Sequence, residues 1–262
     1  MNTWLNQQSL ITIGILLVVG MVVALLLGRR LEVWFVRRFG DLPEGTTTLI
    51  SAIFALTAFL LGFAFNMSNN RYEQRRQNIV EEANAIGTAM MRIDLYPDSL
   101  RPVLKGQFDD YLAKRIAFFE AGPQFDSALH WEAEASKSGD QLWQMATKYG
   151  RESRDLIATG QMIPALNAMF DAATTRHYGI VAKVPEPVLY LLFLLAFTSA
   201  FLAGFNSPKE RVNYFVSTIF CLMTVLVILL VFDLDRPRRG LVRFDDTHKA
   251  IESLKTTNSQ GK

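Results

Sequence analysis

The sequence predicts an all-α integral membrane protein with four transmembrane helices and a helical extramembrane domain inserted between spans 2 and 3. Three observations predict it. Half of the 262 residues are hydrophobic although 20% are charged, and the mean hydropathy is +0.17, high for a soluble chain carrying that much charge. Four apolar runs approach or reach the roughly 20 residues that a bilayer requires. The long polar stretch between the second and third runs carries helical spacing and no strand-like alternation.

The first run, about Leu10 to Gly28, reads LITIGILLVVGMVVALLLG. No basic segment precedes it and no small-x-small site stands before Arg29, so it reads as a retained helix, not a cleaved signal. The second runs from about Thr46 to Phe65. The third, Val188 to Phe205, is entered through Pro185 and Pro187, and the fourth runs from Val212 to Phe232. None contains Asp, Glu, Lys or Arg. The domains divide as 1–66 (spans 1 and 2), 67–185 (the helical extramembrane domain), 186–235 (spans 3 and 4) and 236–262 (a basic C-terminal tail).

Within the extramembrane domain, Asp98 or Ser99 can cap a helix that puts Leu100, Leu104, Phe108, Tyr111, Arg115 and Phe118 on one face. Gly122-Pro123 breaks it. Further helical pieces are expected at Asp140 to Tyr149 and Ile163 to Tyr178, and only about the last ten residues read as disordered. There are no internal repeats.

Several function classes drop out. A net charge of +2 without a basic-aromatic cluster argues against nucleic acid as a partner. The single cysteine, Cys221, leaves no internal disulfide and no Cys-based metal cluster. His130, His177 and His248 have no ligand spacing, so no metal is expected. No phosphate-binding loop, G-x-S-x-G or H-E-x-x-H occurs, and Glu81-Glu82 lacks a carboxylate at acid–base spacing. Thr57, Thr198, Ser199, Ser217 and Thr224 are the only hydroxyls at membrane depth. With no His, Asp or Glu beside them, they read as packing or backbone-bonding groups. The chain is therefore expected to be neither an enzyme nor a cofactor binder. Four spans without a broken-helix pair also weigh against a secondary transporter.

The most informative stretch is FALTAFLLGFAFNMSNNRYEQRRQNIVEEANAI, Phe54 to Ile86. No proline lies between Pro43 and Pro97, so one helix can run from about Thr46 to Asp94, about 75 Å at 1.5 Å per residue. Ala55, at the edge, then Phe59, Phe63, Asn66, Asn70, Glu73 and Gln77 fall on one face of it, with Asn84 beyond. The opposite side of its polar half carries Tyr72, Ile79, Ala83, Ile86, Met90 and Ile93, a seam for packing against other helices. Copies arranged about an axis would form an aromatic constriction opening into a mouth of amides and carboxylates. Such constrictions gate by dewetting. In the simpler reading, Phe59 and Phe63 face lipid or another span of the same chain.

The run LGFAFNMSNNRYEQRR, Leu61 to Arg76, resembles the neck-to-cytosol segment of bestrophins, the pentameric ion channels. Bacterial bestrophins have a similar Leu-Gly-Phe, then Asn, then Asp-Arg-Trp-Trp-Glu-x-Arg. Here Leu61, Gly62, Phe63, Asn66, Arg71 and Arg76 match in place, Asn70 stands for the Asp, and Tyr72 and Glu73 replace the tryptophans. The whole chain is similar to a bacterial bestrophin-like family, through Tyr72-x-x-Arg75, VEEANAI (Val80 to Ile86) and DLDRPRRGLVR (Asp233 to Arg243). The resemblance implies a homo-oligomer in the lipid bilayer, a pentamer in bestrophins, passing permeant ions. Phe63 would be the lowest neck aromatic, with Phe59 and Ala55 one and two turns above. Ala55 departs from the usual bulky neck residue. No acidic cluster resembles the calcium clasp of animal bestrophins.

Charge counting nearly ties on orientation. Arg29, Arg30, Arg37, Arg38, Lys209 and Arg211 lie on one side. Arg71, Arg75, Arg76 and the basic tail lie on the other. The resemblance implies an inner-membrane protein with both termini and the helical domain cytoplasmic. Just past span 4, Asp233, Asp235 and Arg236 form a structural charge cluster with Arg71, Arg75 and Arg76, in which the carboxylates can pair with Arg71 or Arg75 and lock span 4 to span 2. Alternatively it is an ordinary interfacial cluster in which Pro237 and Gly240 end the helix. The leading functional expectation is an oligomeric channel with a span-2 neck. The alternative is a non-conducting membrane protein whose helical domain senses a signal or binds a partner.

Overall fold

The computed structural model describes residues 8–121, 125–182, 184–206, 214–236 and 249–254, and among these there is no strand. In chain order the helices are α1 (Leu10–Phe39), α2 (Thr46–Met91), a 3-10 turn (Arg92–Leu95), α3 (Arg101–Glu120), α4 (Phe125–Ser153), α5 (Leu156–Val181), α6 (Glu186–Phe205) and α7 (Tyr214–Leu234). Residues 249–254 add a helical turn. Four of the stretches are long and apolar enough to cross a bilayer. The all-α, four-span architecture predicted from hydropathy and spacing is therefore the one observed. The expected break at Gly122-Pro123, the start of span 4 at Val212, the Lys209 and Arg211 loop, the tail arginines and the disordered last residues lie outside the described residues.

The chain divides into two compact units, one formed by residues 1–71 and 183–236, the other by 72–182 and 237–262. In the first, α1 packs against α6 and α7, and α6 against α7. Ile13, Leu17, Met21, Leu25, Leu192 and Ile228 lie in its buried interior. Lipid is as apolar as leucine, so burial alone does not pull such helices together, and close backbone approach matters more. Glycine provides it. A Cβ at Gly28 would sit 2.0 Å from the Phe201 carbonyl oxygen, and one at Gly204 would sit 2.0 Å from that of Leu25. Helices α1 and α6 thus touch backbone to backbone. From α2, Ala64 is buried in the same interior. The Thr57 hydroxyl donates to the Ile53 carbonyl at 2.8 Å and so accepts from Ser199 at 2.9 Å. Thr224 likewise bonds the Phe220 carbonyl at 2.9 Å, so these three hydroxyls serve local backbone bonding and helix packing.

The second unit is a helical bundle with a water-soluble type of core. The seam of α2 enters it as Ile79, Ala83 and Ile86, continued by Ile93 in the 3-10 turn, all buried, with Tyr72 and Met90 packed against the interior. Leu104, Phe108, Tyr111 and Phe118 of α3 are buried as their spacing predicts. Each fully buried side chain of this size contributes about 1.5–3 kcal/mol. Ala135, Leu142 and Ala146 of α4, and Met162, Leu166 and Met169 of α5, complete the interior, and Ile251 from the C-terminal turn is fully buried in it.

Three local expectations need correction. Helix α3 begins at Arg101 with Leu100 at the capping position and no side-chain cap. The Leu100 N–H bonds the Pro97 carbonyl at 2.9 Å, and Pro102 in the first turn sets the start. Asp98 instead pairs with Arg101 at 2.7 Å. Helices α4 and α5 extend well beyond Asp140–Tyr149 and Ile163–Tyr178. Within α4, Gly139 is a contact point, since a Cβ there would lie 2.8 Å from the Phe170 ring. Helix α5 tolerates Pro164 in its interior and takes its N-cap from Asp155, whose Oδ1 accepts from the N–H groups of Ile157 and Ala158 at 3.0 Å.

Candidate functional site

The α2 helix runs unbroken for 46 residues, which fixes the angular order of its side chains. In the first unit, Ala55, Phe59, Phe63, Asn66 and Asn70 are all exposed. Phe59 retains 69% and Phe63 59% of its surface, whereas Ala64 behind them retains 1%. A side chain at Gly62, beside Phe63, would meet nothing within 4 Å. In the second unit Gln77 is exposed and Glu73 is half-buried, with Glu73 and Arg76 paired at 3.4 Å. The predicted stripe is therefore a face that its own chain leaves largely uncovered, running from aromatic to amide to charged groups.

Of the residues assigned to the charge cluster, Arg75, Asp235 and Arg236 are buried and bond backbone groups, while Arg76 is exposed. Arg75 is 3% exposed, and its Nε and Nη2 donate to the carbonyls of Gly179 at 2.9 Å and Ala182 at 2.6 Å. It thereby satisfies the open C-terminal end of α5, where a cation is also favoured by the helix dipole. Both Asp235 oxygens accept from the Val184 N–H, at 3.0 and 3.1 Å. Arg236 donates to the Gln8 carbonyl at 2.7 Å and lies 5.7 Å over the Phe232 ring. Asp233 is also buried, and Arg71 is half-buried.

The sequence reading misses a charge centre inside the second unit. Glu82, from the α2 seam, is fully buried. Its Oε1 accepts from Arg115 Nε of α3 and its Oε2 from Arg176 Nη1 of α5. Both arginines are 2% exposed. The Phe118 ring underlies them, 5.0 Å from the Arg115 guanidinium and 5.6 Å from that of Arg176. Burial alone would raise the Glu82 carboxyl. The Arg176 and Arg115 charges outweigh it and hold the group down at about 2. Burial pushes the nearby Tyr111 phenol up to about 12. One carboxylate faces two guanidiniums, and Glu132 of α4 adds a second negative charge near Arg115. Among the described residues, the buried Arg115 Nη2 and Arg176 Nε have no hydrogen-bond partner. One signal for it is present in the sequence: Arg115 stands in the middle of an apolar stripe, which requires a buried counter-charge.

Next to this centre, Arg115 and Tyr111 form part of a cavity of about 310 Å³ between α3, α4 and α5. Among the described residues no group of three or more His, Cys, Asp or Glu side chains is arranged to hold a metal ion.

Comparison with known proteins yields a match of residues 14–247 to the Bestrophin-like domain. A bacterial bestrophin homolog from Klebsiella pneumoniae, in a form with one tryptophan mutated to alanine, is similar in structure, with a TM-score of 0.74 and 13% identity, covering 97% of this chain and 99% of that one. The same homolog phased by Zn-SAD gives a TM-score of 0.71 at 13% identity, covering 96% and 99%. A form of it with one leucine mutated to threonine gives 0.70 at 14%, covering 96% and 99%. No curated protein sequence matches.

Proposed function

We propose, because the chain belongs to the Bestrophin-like family, that several copies assemble in the membrane as an ion channel whose neck is formed by α2. The number of copies is five by analogy with bestrophins. Phe63 and Phe59 narrow the path, with Ala55 a turn above as its wider end. Asn66 and Asn70 form the mouth, followed along the helix by Glu73 and Gln77. The observation that carries this reading is the exposure of Phe59 and Phe63 on the same stripe as Asn66 and Asn70. Lipid accommodates the two rings but gains nothing from the amides. An axis shared by neighbouring copies accommodates both.

A dry ring of aromatics raises the cost of stripping water from an ion, so the neck controls passage through wetting. The polar mouth then weights which ions reach it. The protein is a multi-pass component of the inner membrane, with the termini and the helical unit in the cytoplasm.

Reconstitution into planar bilayers tests the proposal. The native protein should conduct, and Phe59→Ala/Phe63→Ala should conduct more, because the alanines widen and wet the neck. Silence of both forms overturns it. So does a particle image in which α2 faces lipid with no shared axis, which favours a sensor or scaffold instead.

A further inference from the structure

Helix α1 does not end where its apolar run ends. It continues for 30 residues, Leu10–Phe39, and is therefore about 45 Å long. That matches a bilayer taken with its headgroup layers, about 40–45 Å. The part beyond Gly28 reads RRLEVWFVRRF. On its inner side this part is packed like the span before it. Gly28 and Glu32 are buried, Glu32 pairs with Arg29, and the Phe35 ring lies 6.4 Å from that of Phe205 in α6.

The outer side changes chemistry in a fixed order. Val19, Val23, Leu26 and Leu27 are each about half exposed. At about 100° per residue, Arg30, Trp34, Arg37 and Arg38 continue the same stripe within an arc of about 120°, and all four are exposed. Glu32 is the only carboxylate of α1, and it lies on the opposite, buried side. Among the described residues, Arg30, Arg37 and Arg38 have no acidic partner. The helix dipole favours cations in the last turn, where Arg37 and Arg38 stand. It does not account for Trp34 and Arg30, one and two turns before them. Side chains on a helix lean toward its N-terminus, so these guanidiniums lean back toward the apolar span.

We infer that this stripe is a binding surface for anionic phospholipid. The acyl chains lie along Val19, Val23, Leu26 and Leu27. The Trp34 ring sits at the headgroup level, and Arg30, Arg37 and Arg38 beside it hold the acidic headgroups. A second copy of the chain would have to offer an apolar face and then unpaired acids at one level. A bilayer containing acidic lipid offers that order along its whole surface. The stripe is no part of the α2 face proposed for the neck, and the inference holds whether or not the assembly conducts.

Native mass spectrometry of the full-length protein in a neutral detergent tests this. The probes are dioleoylphosphatidylglycerol and dioleoylphosphatidylcholine, which differ in headgroup and not in acyl chains. The protein should retain the anionic lipid over the zwitterionic one by at least about fivefold, the contribution of a single arginine near an acidic surface. Arg30→Gln/Arg37→Gln/Arg38→Gln should bring the two lipids near parity. The charge-keeping Arg30→Lys/Arg37→Lys/Arg38→Lys should restore most of the preference. Lys137→Gln/Lys148→Gln/Arg151→Gln removes the same charge from exposed positions of α4 and should leave the preference intact. Free glycerol phosphate in large excess should not displace the lipid, because it has no chains to lie on the stripe. Equal retention of the two lipids by the native protein overturns the inference. So does an unchanged preference in the glutamine variant of α1, an equal loss in its lysine variant or in the α4 control, or displacement by glycerol phosphate.

Discussion

Arg176 donates to Glu82 across 94 residues of sequence, with the two side chains 2% and 0% exposed. Through this contact, and the one from Arg115, a single carboxylate ties α2 to α3 and α5 inside the second unit. Removing one member of a buried ionic group leaves the others unneutralised, a loss of about 3–5 kcal/mol. Glu82→Gln should therefore destabilise the second unit strongly, because two buried guanidiniums then lose the carboxylate to which both donate.

The same carboxylate sets an acid dependence. Its value in the folded chain is about 2 against 4.5 ordinarily, so folding favours the ionised form. The resulting stabilisation, about 3 kcal/mol at 1.36 kcal/mol per unit, is fully present above pH 4.5. It is lost as the pH falls toward 2. Melting curves of native protein and Glu82→Gln should differ most near neutrality and converge as the pH is lowered through that window. A gap that stays constant from pH 7 to pH 3 would contradict this origin.

The glycine contact between α1 and α6 gives a second prediction. A methyl at Gly28 or Gly204 cannot fit 2.0 Å from a carbonyl oxygen, so the helices must move apart. Overpacking of this kind costs about 1–3 kcal/mol. Gly28→Ala and Gly204→Ala should each lower the melting temperature in detergent, read by fluorescence-detected size exclusion. Gly106→Ala supplies the contrast. Nothing lies within 4 Å of that position, so alanine should be neutral or stabilise α3 by about 0.5–1 kcal/mol through helix propensity alone.

What the sequence reveals and conceals follows from the range of the forces involved. Hydropathy and helical period are sums over neighbouring residues, so the four spans, the long α2 and the buried stripe of α3 can be read directly. Helix limits depend on a contest among local bonds. Leu100 holding the Pro97 carbonyl defeats the better capping residues Asp98 and Ser99, and α4 and α5 run well past the pieces expected at Asp140–Tyr149 and Ile163–Tyr178. Partners of charged groups are harder still. The bonds described for Arg75 and Asp235 run to the backbone of Gly179, Ala182 and Val184, groups that no charge pattern identifies. Glu82 looks like half of a surface Glu-Glu pair until Arg115 and Arg176 arrive from distant helices. The stripe from Phe59 to Asn70 can be read as a face, while what stands before it depends on other copies.

Those backbone bonds make a third prediction. Asp235→Ala would strip the buried Val184 N–H of its acceptor, at a cost of about 1–3 kcal/mol. Asp235→Asn keeps one carbonyl oxygen and should lose much less. Arg75→Met removes both donors to the end of α5 and should cost a similar amount. Arg75→Lys should recover only part, because an ammonium lacks the planar fork that reaches two carbonyls at once. Thermal melts of the four variants should rank each alanine or methionine form below its conservative partner.

Orientation supplies the fourth prediction. Lys137 in α4 is 70% exposed at its side chain, so a cysteine there is open to reagents without disturbing the interior. Cys221 is buried and removable as Cys221→Ala, which leaves Lys137→Cys as the sole thiol. If the helical unit is cytoplasmic, a membrane-impermeant maleimide should fail to label this variant in intact cells. It should label the variant in inverted membrane vesicles. Labelling in intact cells would put the unit on the outer side, against the side expected of a bestrophin-like protein and in line with the one indicated by the arginines of the span 1–2 connection alone.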